Sequence, residues 1–192
     1  WAELNEGTDL ARFVLRSKAE SLEALRSQVR LSVIDPAVSV RGSDWQQDPA
    51  AVASKIFASF PSALLAVRSS AAGEDSWASS QAGKYHTELN VLGGDIAALT
   101  TAMGNVATSY WDPRPSDQIL IQEMVVDVTT HGVVITRTMS TGGPYYTINY
   151  DDNSNDTTTV TSGTSGELKT VVVYRGAVDS LRNLQKKLQE VI

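Results

Sequence analysis

The chain has 192 residues, a formal net charge of −6 and no cysteine. This length fits one domain or two small lobes sharing a core, and 42% hydrophobic with 20% charged residues is typical of a globular protein. The lack of cysteine excludes disulfide bonds and thiolate metal sites and favours a cytoplasmic setting. The basic residues are scattered, which argues against nucleic acid binding. The apolar runs are too short to cross a membrane. Because the chain begins with Trp1 rather than Met, we expect a piece of a longer protein.

Helices and strands alternate in the first half of the sequence. In chain order, the patterns predict a helix over 8–30 capped by Thr8 or Asp9, an extended edge segment over 31–40, a helix from Asp48 and Pro49 to Phe60, and a buried strand over 63–67 that leads into Arg68.

A small-residue loop, Ser69 to Ser80, separates these elements from a second half that is richer in strands. There the patterns predict strands over 85–91, 118–125, 130–139, 144–151 and 168–176, a helix over 95–111 capped by Asp95, a polar loop over 151–167 and an amphipathic helix over 178–192. The fold class expected is α+β, with a largely antiparallel sheet and flanking helices.

The stretch "AVRSSAAGEDSWASSQAGKYHTELNV", residues 66–91, has the composition of a phosphate-binding loop. Arg68 ends a buried strand, and the small and hydroxylated residues after it, Ser69 and Ser70 included, let the backbone approach an anion closely. Lys84 can supply a second cation. No GxxxxGK[ST] or GxGxxG motif is present, and composition alone favours a surface turn with a structurally paired Arg68.

The same stretch resembles the nucleotide-binding domain of the pyruvate phosphate dikinase and phosphoenolpyruvate synthase family. Members of that family carry a strand, then VRSSA, an ED pair, a Ser/Ala-Gly turn and a T-x-L-N-V ending. Here these elements are "AVRSSA", Glu74-Asp75, "SSQAGKY" and "TELNV".

Three further segments follow in the family's order: "LRSKAESLEAL", "LIQEMV" and "HGVVITRTMSTG". The resemblance, which runs from Lys18 to Gly143, implies an ATP-grasp-type fold whose lobes we place at 1–117 and 118–192. It implies ATP phosphate contacts from Lys18, Arg68, Ser69, Ser70, Lys84 and Arg137, and adenine contacts from Gln122, Glu123, Met124 and Val125.

The sequence departs from the family pattern at several positions. Arg16 stands where a Gly precedes the lysine, Lys84 replaces a Gln, and Met139 replaces a common Pro. The strands that carry the family's Mg²⁺ carboxylate and its Gln-x-Arg are missing. We therefore expect a C-terminally truncated domain whose Mg²⁺ ligands lie beyond Ile192 and which is inactive, or nearly so, alone.

The resemblance implies the ATP-binding part of an enzyme that passes phosphate from ATP to a histidine on a separate domain and then to pyruvate. The expected partners are ATP and those downstream domains. Two alternatives stay open: a phosphotransferase acting on another acceptor (a glucan, an antibiotic or a polysaccharide precursor), or a regulatory or scaffolding module that has lost ATP binding. The Arg16 and Lys84 departures favour the second slightly, whereas Arg68 and the 122–125 segment argue against it.

Overall fold

The computed structural model describes residues 17–71, 75–76, 79–80, 86–110, 117–154, 160 and 168–176. They form helices and antiparallel sheets, as the α+β class requires. In chain order the elements are α1 (Lys18–Arg26), β1 (Ala37–Arg41), α2 (Gly42–Gln47), α3 (Pro49–Ser59), β2 (Leu64–Ser70), β3 (Asp75–Ser76), β4 (Ser79–Ser80), β5 (Thr87–Leu92), α4 (Ile96–Thr108), β6 (Gln118–Glu123), β7 (His131–Ile135), β8 (Tyr145–Asp151) and β9 (Lys169–Tyr174).

The described residues divide into two compact units. Residues 17–29 and 33–124 belong to the first unit, and 30–32 with those from 125 onward belong to the second. The lobe boundary expected at 117/118 precedes β6, whereas the division falls after Met124. The strand β6 therefore completes the sheet of the first unit.

The first unit is built on a four-stranded antiparallel sheet in the order β1-β6-β2-β5. Strand β6 lies between β1 and β2, and the pairings Val38↔Ile121 and Val67↔Ile121 fix its register. Alternate residues of the sheet pack under α3 and α4, where Ile56, Leu99 and Met103 are fully buried. Since side chains alternate along a strand, this register decides which residues face away from α3 and α4.

Local capping signals place the helices of the first unit. Asp48 accepts a hydrogen bond from Ala51 N and Pro49 occupies the first turn of α3, while Asp95 accepts from Ala97 N and Ala98 N at the start of α4. Both helix starts predicted from the sequence are confirmed. β1 follows Pro36 and lies at a sheet edge, as predicted.

Three expectations for the first half are corrected. Ser69 and Ser70 are not in a loop, because they end β2, and the short strands β3 and β4 pair within the predicted 69–80 loop. The first helix ends at Arg26 rather than at residue 30, and its predicted 8–16 portion lies outside the described residues. The six-residue helix α2 was missed, since no side-chain hydrogen bond caps it.

The second unit contains a three-stranded antiparallel sheet in the order β7-β8-β9. Tyr146, Ile148 and Val173 are buried on one of its faces. The three predicted strands are confirmed, while the predicted helix over 178–192 lies outside the described residues. None of the helices in the described ranges has the length and apolar character that a bilayer crossing needs.

Gly93 provides a test of how tightly the first sheet packs on α3. A Cβ built there would lie 2.0 Å from the backbone oxygen of Phe60, which ends α3. We expect Gly93→Ala to lower the free energy of unfolding by about 2–3 kcal/mol in chemical denaturation, because backbone must move. Gly104→Ala is the matched control: its Cβ meets nothing nearer than Trp45 at 4.0 Å, and it should stabilise α4 by up to ~1 kcal/mol. Equal effects of the two changes would contradict this packing.

Candidate functional site

The predicted site residues of β2 and β6 fall on two different faces of the first sheet. The face turned away from α3 and α4 is called the Arg68 face. The register assigns to it Ser39, Arg41, Ala66, Arg68, Ser70, Gln118, Leu120 and Gln122. Ser69 and Glu123 alternate to the opposite face, in line with Ile119 and Leu65. Of the predicted set, the register therefore groups Arg68, Ser70 and Gln122.

Ser70 joins the end of β2 to the start of α1. Its side chain is fully buried, and its Oγ accepts a hydrogen bond of 3.1 Å from Ala19 N in the first turn of α1. Lys18 immediately precedes Ala19, so this bond brings Lys18 to the Arg68 face near the end of β2. Lys18 and Arg68, which are fifty residues apart in sequence, are thus carried by elements that meet.

The start of α1 is fixed by a second set of bonds. Ser17 Oγ accepts from Glu20 N at 3.3 Å, and Glu20 Oε2 accepts from Ser17 N at 2.9 Å, which together form a capping box. The amides of Ala19 and Glu20 therefore have side-chain acceptors from two different residues. This arrangement holds the backbone that carries Lys18 in one position.

Tyr110, which follows the C-terminus of α4, links the end of β2 to β6 by hydrogen bonds. Ser70 N donates to Tyr110 Oη at 3.1 Å, and Tyr110 Oη donates to the carbonyl oxygen of Gln118. Gln118 also lies on the Arg68 face, opposite Ser70 in the register, and its buried Oε1 has no hydrogen-bond partner in the described residues. Both residues support the site, and no sequence motif pointed to either of them.

Arg68 is half-buried in β2, where its backbone is paired on both sides. Its register partners are Leu120 in β6 and Thr87 in β5. In the described part of the chain, its guanidinium makes no hydrogen bond or ion pair. The side chain is thus carried by a rigid central strand, and its donors are not committed to any described residue.

The 122–125 segment has most of its backbone donors already committed. Gln122 pairs with Ala37 and Ala66, Glu123 N donates to the carbonyl oxygen of Pro36 at 3.0 Å, and Met124 N donates to that of Leu64 at 2.8 Å. Val125 is 62% exposed. A backbone hydrogen bond to a ligand would therefore come from the carbonyls of the segment or from Val125 N.

Two predicted phosphate contacts lie outside the first unit's described residues. Lys84 falls in the 81–85 stretch, which is not described. Arg137 follows β7 in the second unit, where its Nη1 donates to Gly142 O at 3.1 Å within a turn that places Gly142 at φ +66°. Within the described residues, this is the one hydrogen bond that the Arg137 guanidinium makes.

A polar network anchors the strand β5 to α4 where the "TELNV" segment begins. Glu88 Oε1 accepts from Asn105 Nδ2 at 2.9 Å and lies 2.7 Å from His86 Nε2. The hydrogen bond from Asn105, followed by that from His86, holds the pKa of Glu88 below its usual value. His86 N also donates to Ser109 Oγ. The motif's strand is therefore fixed to the helix layer at its first residues.

The first unit also has an open groove beside the Glu88 network, along β5 and α4. It encloses about 520 Å³ and is lined by residues of β5 and α4 that include Glu88, Asp95 and Asn105. No predicted site residue lines it. Among the described residues, no group of three or more His, Asp or Glu side chains could hold a metal ion. Asn90 of β5 also lines the groove.

Comparison with known proteins identifies the family to which the chain belongs. A family model described as "Pyruvate phosphate dikinase, AMP/ATP-binding domain" matches residues 17–187. The chain belongs to this family of AMP/ATP-binding domains, as its motifs predicted. The match continues past Gly143, where the motif resemblance ended, through the polar loop to residue 187. A search of the curated proteins found no match.

The Ser70 bond to α1 can be tested by removing one hydroxyl. We expect Ser70→Ala to leave the buried Ala19 amide without its acceptor, which should cost about 1–3 kcal/mol of stability and speed hydrogen exchange at Ala19. Ser54→Ala, which removes an exposed hydroxyl bonded to Ala50 O in α3, is the control and should be near neutral. Unchanged exchange at Ala19 in Ser70→Ala would show that the bond does not hold α1.

The Glu88 network predicts a specific pH dependence. Since the folded-state pKa of Glu88 is lowered, its stabilising contribution is present above the unfolded-state pKa and is lost as the pH falls through the folded-state value. In carboxyl NMR titrations, Asn105→Ala should raise the pKa of Glu88 towards its usual value, whereas Thr101→Ala, one turn away on α4, should not. A Glu88 pKa that ignores the loss of Asn105 would contradict this network.

Proposed function

We propose that this chain is the ATP-binding part of a dikinase-type phosphotransferase with an ATP-grasp-type fold. The observation that carries the proposal is the Ser70–Ala19 bond, which brings Lys18 to the face on which Arg68 lies. Two cations on elements that meet at the end of a buried strand suit a polyphosphate. The family's description as an AMP/ATP-binding domain supports the same ligand.

The two ends of the sheet suggest a direction for the bound nucleotide. Met124 directly follows β6 and is four residues beyond Leu120, which pairs with Arg68; this is about 13 Å of extended chain. We propose adenine at the Met124 end, beside Gln122 and Val125, and the phosphates at the Arg68 end. Glu123 would contribute through its backbone carbonyl, because its side chain belongs to the opposite face. An extended nucleoside triphosphate can span this separation.

The predicted phosphate contacts take different roles in this proposal. Arg68 and Lys18 bind the phosphates directly. Ser70 acts as a positioning residue, because its Oγ already accepts from Ala19 N. Lys84 and Arg137 are further cations for the triphosphate, and Ser69 contributes through its backbone, because its side chain belongs to the opposite face.

In the whole enzyme, the domain would present the ATP phosphates to a histidine carried on another domain. Positioning and charge neutralisation supply most of the catalysis in such transfers. Mg²⁺ would neutralise the phosphates when bound. The residues of this chain bind and orient the nucleotide.

Calorimetric titration of Mg-ATP into the chain tests this function. Arg68→Ala should weaken binding by roughly 10- to 150-fold, the loss of charged hydrogen bonds worth about 1.5–3 kcal/mol. Lys55→Ala is the matched control, since it removes one exposed positive charge from α3, on the opposite side of the sheet. It should bind Mg-ATP as the wild type does. A folded wild-type chain that ignores Mg-ATP, or an Arg68→Ala variant that binds it equally, would refute the proposal.

A further inference from the structure

The "TELNV" segment contains a residue in an uncommon backbone conformation. Asn90 has φ +59°, in the left-handed region that few residues other than Gly adopt without strain. Asn tolerates this region better than most side chains. Strain of this kind persists where the surrounding structure requires it.

The conformation of Asn90 belongs to an irregularity in the pairing of β5 with β2. Leu65 pairs with Val91, and Val67 pairs with Glu88, so Leu89 and Asn90 together oppose the single residue Ala66. This is a β-bulge, which locally reorients the backbone of the bulged strand. Ala66 lies on the Arg68 face, opposite Gln122 of β6. The bulge is therefore in the row of the sheet that carries Gln122.

One backbone amide of the bulge, that of Asn90, contacts Met124, which is a predicted adenine contact. Asn90 N donates to Met124 Sδ, with 3.2 Å between nitrogen and sulfur. The backbone of Met124 is also fixed, because Met124 N donates to Leu64 O at 2.8 Å. A Met side chain has three rotatable bonds and takes many shapes. The amide of Asn90 fixes the sulfur end of a side chain whose backbone is already fixed.

We propose that Asn90 is a positioning residue of the nucleotide site: its left-handed bulge holds the Met124 thioether in the conformation that receives the purine base. The inference rests on the proposed function and assigns a role to the Asn of the "TELNV" segment. The required property is the backbone conformation at position 90, so glycine should substitute and alanine should not.

The experiment compares two ligands in the full chain. Asn90→Ala should weaken Mg-ATP binding about three- to tenfold, the size of a sulfur contact of about 0.7–1.4 kcal/mol. It should leave binding of inorganic tripolyphosphate unchanged, because the phosphate contacts are elsewhere. Asn90→Gly should bind both ligands as the wild type does. Met124→Leu keeps the volume but lacks the acceptor, and adding Asn90→Ala to it should cause no further loss of ATP affinity.

Methyl NMR reads the contact itself. The chain has three Met residues: Met103 is fully buried in the core, Met139 is 88% exposed, and Met124 is the one bonded to Asn90. In Asn90→Ala the Met124 methyl signal should shift, while the Met103 signal stays and reports an intact core. If Asn90→Ala fails to fold, Met124→Leu carries the binding test alone: loss of ATP affinity without loss of tripolyphosphate affinity supports the inference, and unchanged ATP affinity overturns it.

The outcomes separate this inference from the proposed function. If the wild-type chain binds neither ligand, the proposed function fails and the inference falls with it. If the wild type binds Mg-ATP and Asn90→Ala binds it equally, only the role of Asn90 is overturned. Parallel loss of ATP and tripolyphosphate would also overturn it, because Asn90 would then support the fold rather than the base.

Discussion

The antiparallel pairing of β2 with β6 is the interaction on which the rest of the first unit depends. Its register turns Leu65 and Val67 under the helices and Arg68 to the opposite face. A slip of one residue would exchange these faces and bury the arginine in the core. Ser70, at the end of β2, connects this strand pair to two other elements. Its hydroxyl accepts a hydrogen bond from the first turn of α1, and its amide donates to Tyr110. The placement of Arg68 and of the helix start that carries Lys18 thus depends on one strand pair.

Features set by a few neighbouring residues could be predicted from the sequence. Asp48 followed by Pro49, and Asp95 before an apolar helical pattern, mark helix starts because the capping bonds span only two or three residues. The ordered motifs around Arg68 identified the family, which the match over residues 17–187 confirms. The pattern Ser17-x-x-Glu20 also marks a capping box and could have located the start of α1, where Thr8 or Asp9 was expected.

Features that depend on distant partners could not be predicted in this way. Nothing near β6 in sequence indicates that it lies between β1 and β2, so it was assigned to the second lobe. The hydroxyl of Ser70 suits a phosphate ligand or a helix amide equally well, and only the position of Ala19 favours the amide. The left-handed conformation of Asn90 depends on a bulge against Ala66, which a strand-like pattern does not reveal.

The order of strands in the first sheet also affects how the chain is synthesised and assembled. β1 and β2 precede β6 along the chain, yet each pairs with β6 and neither pairs with the other. Until Gln118–Glu123 leave the ribosome, β1 has no partner strand, and β2, which can pair with β5, has its other edge unpaired. Completing this sheet requires contacts between residues that are far apart in sequence. Such contacts form slowly, so the unpaired and aggregation-prone strand edges stay exposed for longer. Chaperone engagement during translation would accordingly be concentrated in the interval before β6 emerges.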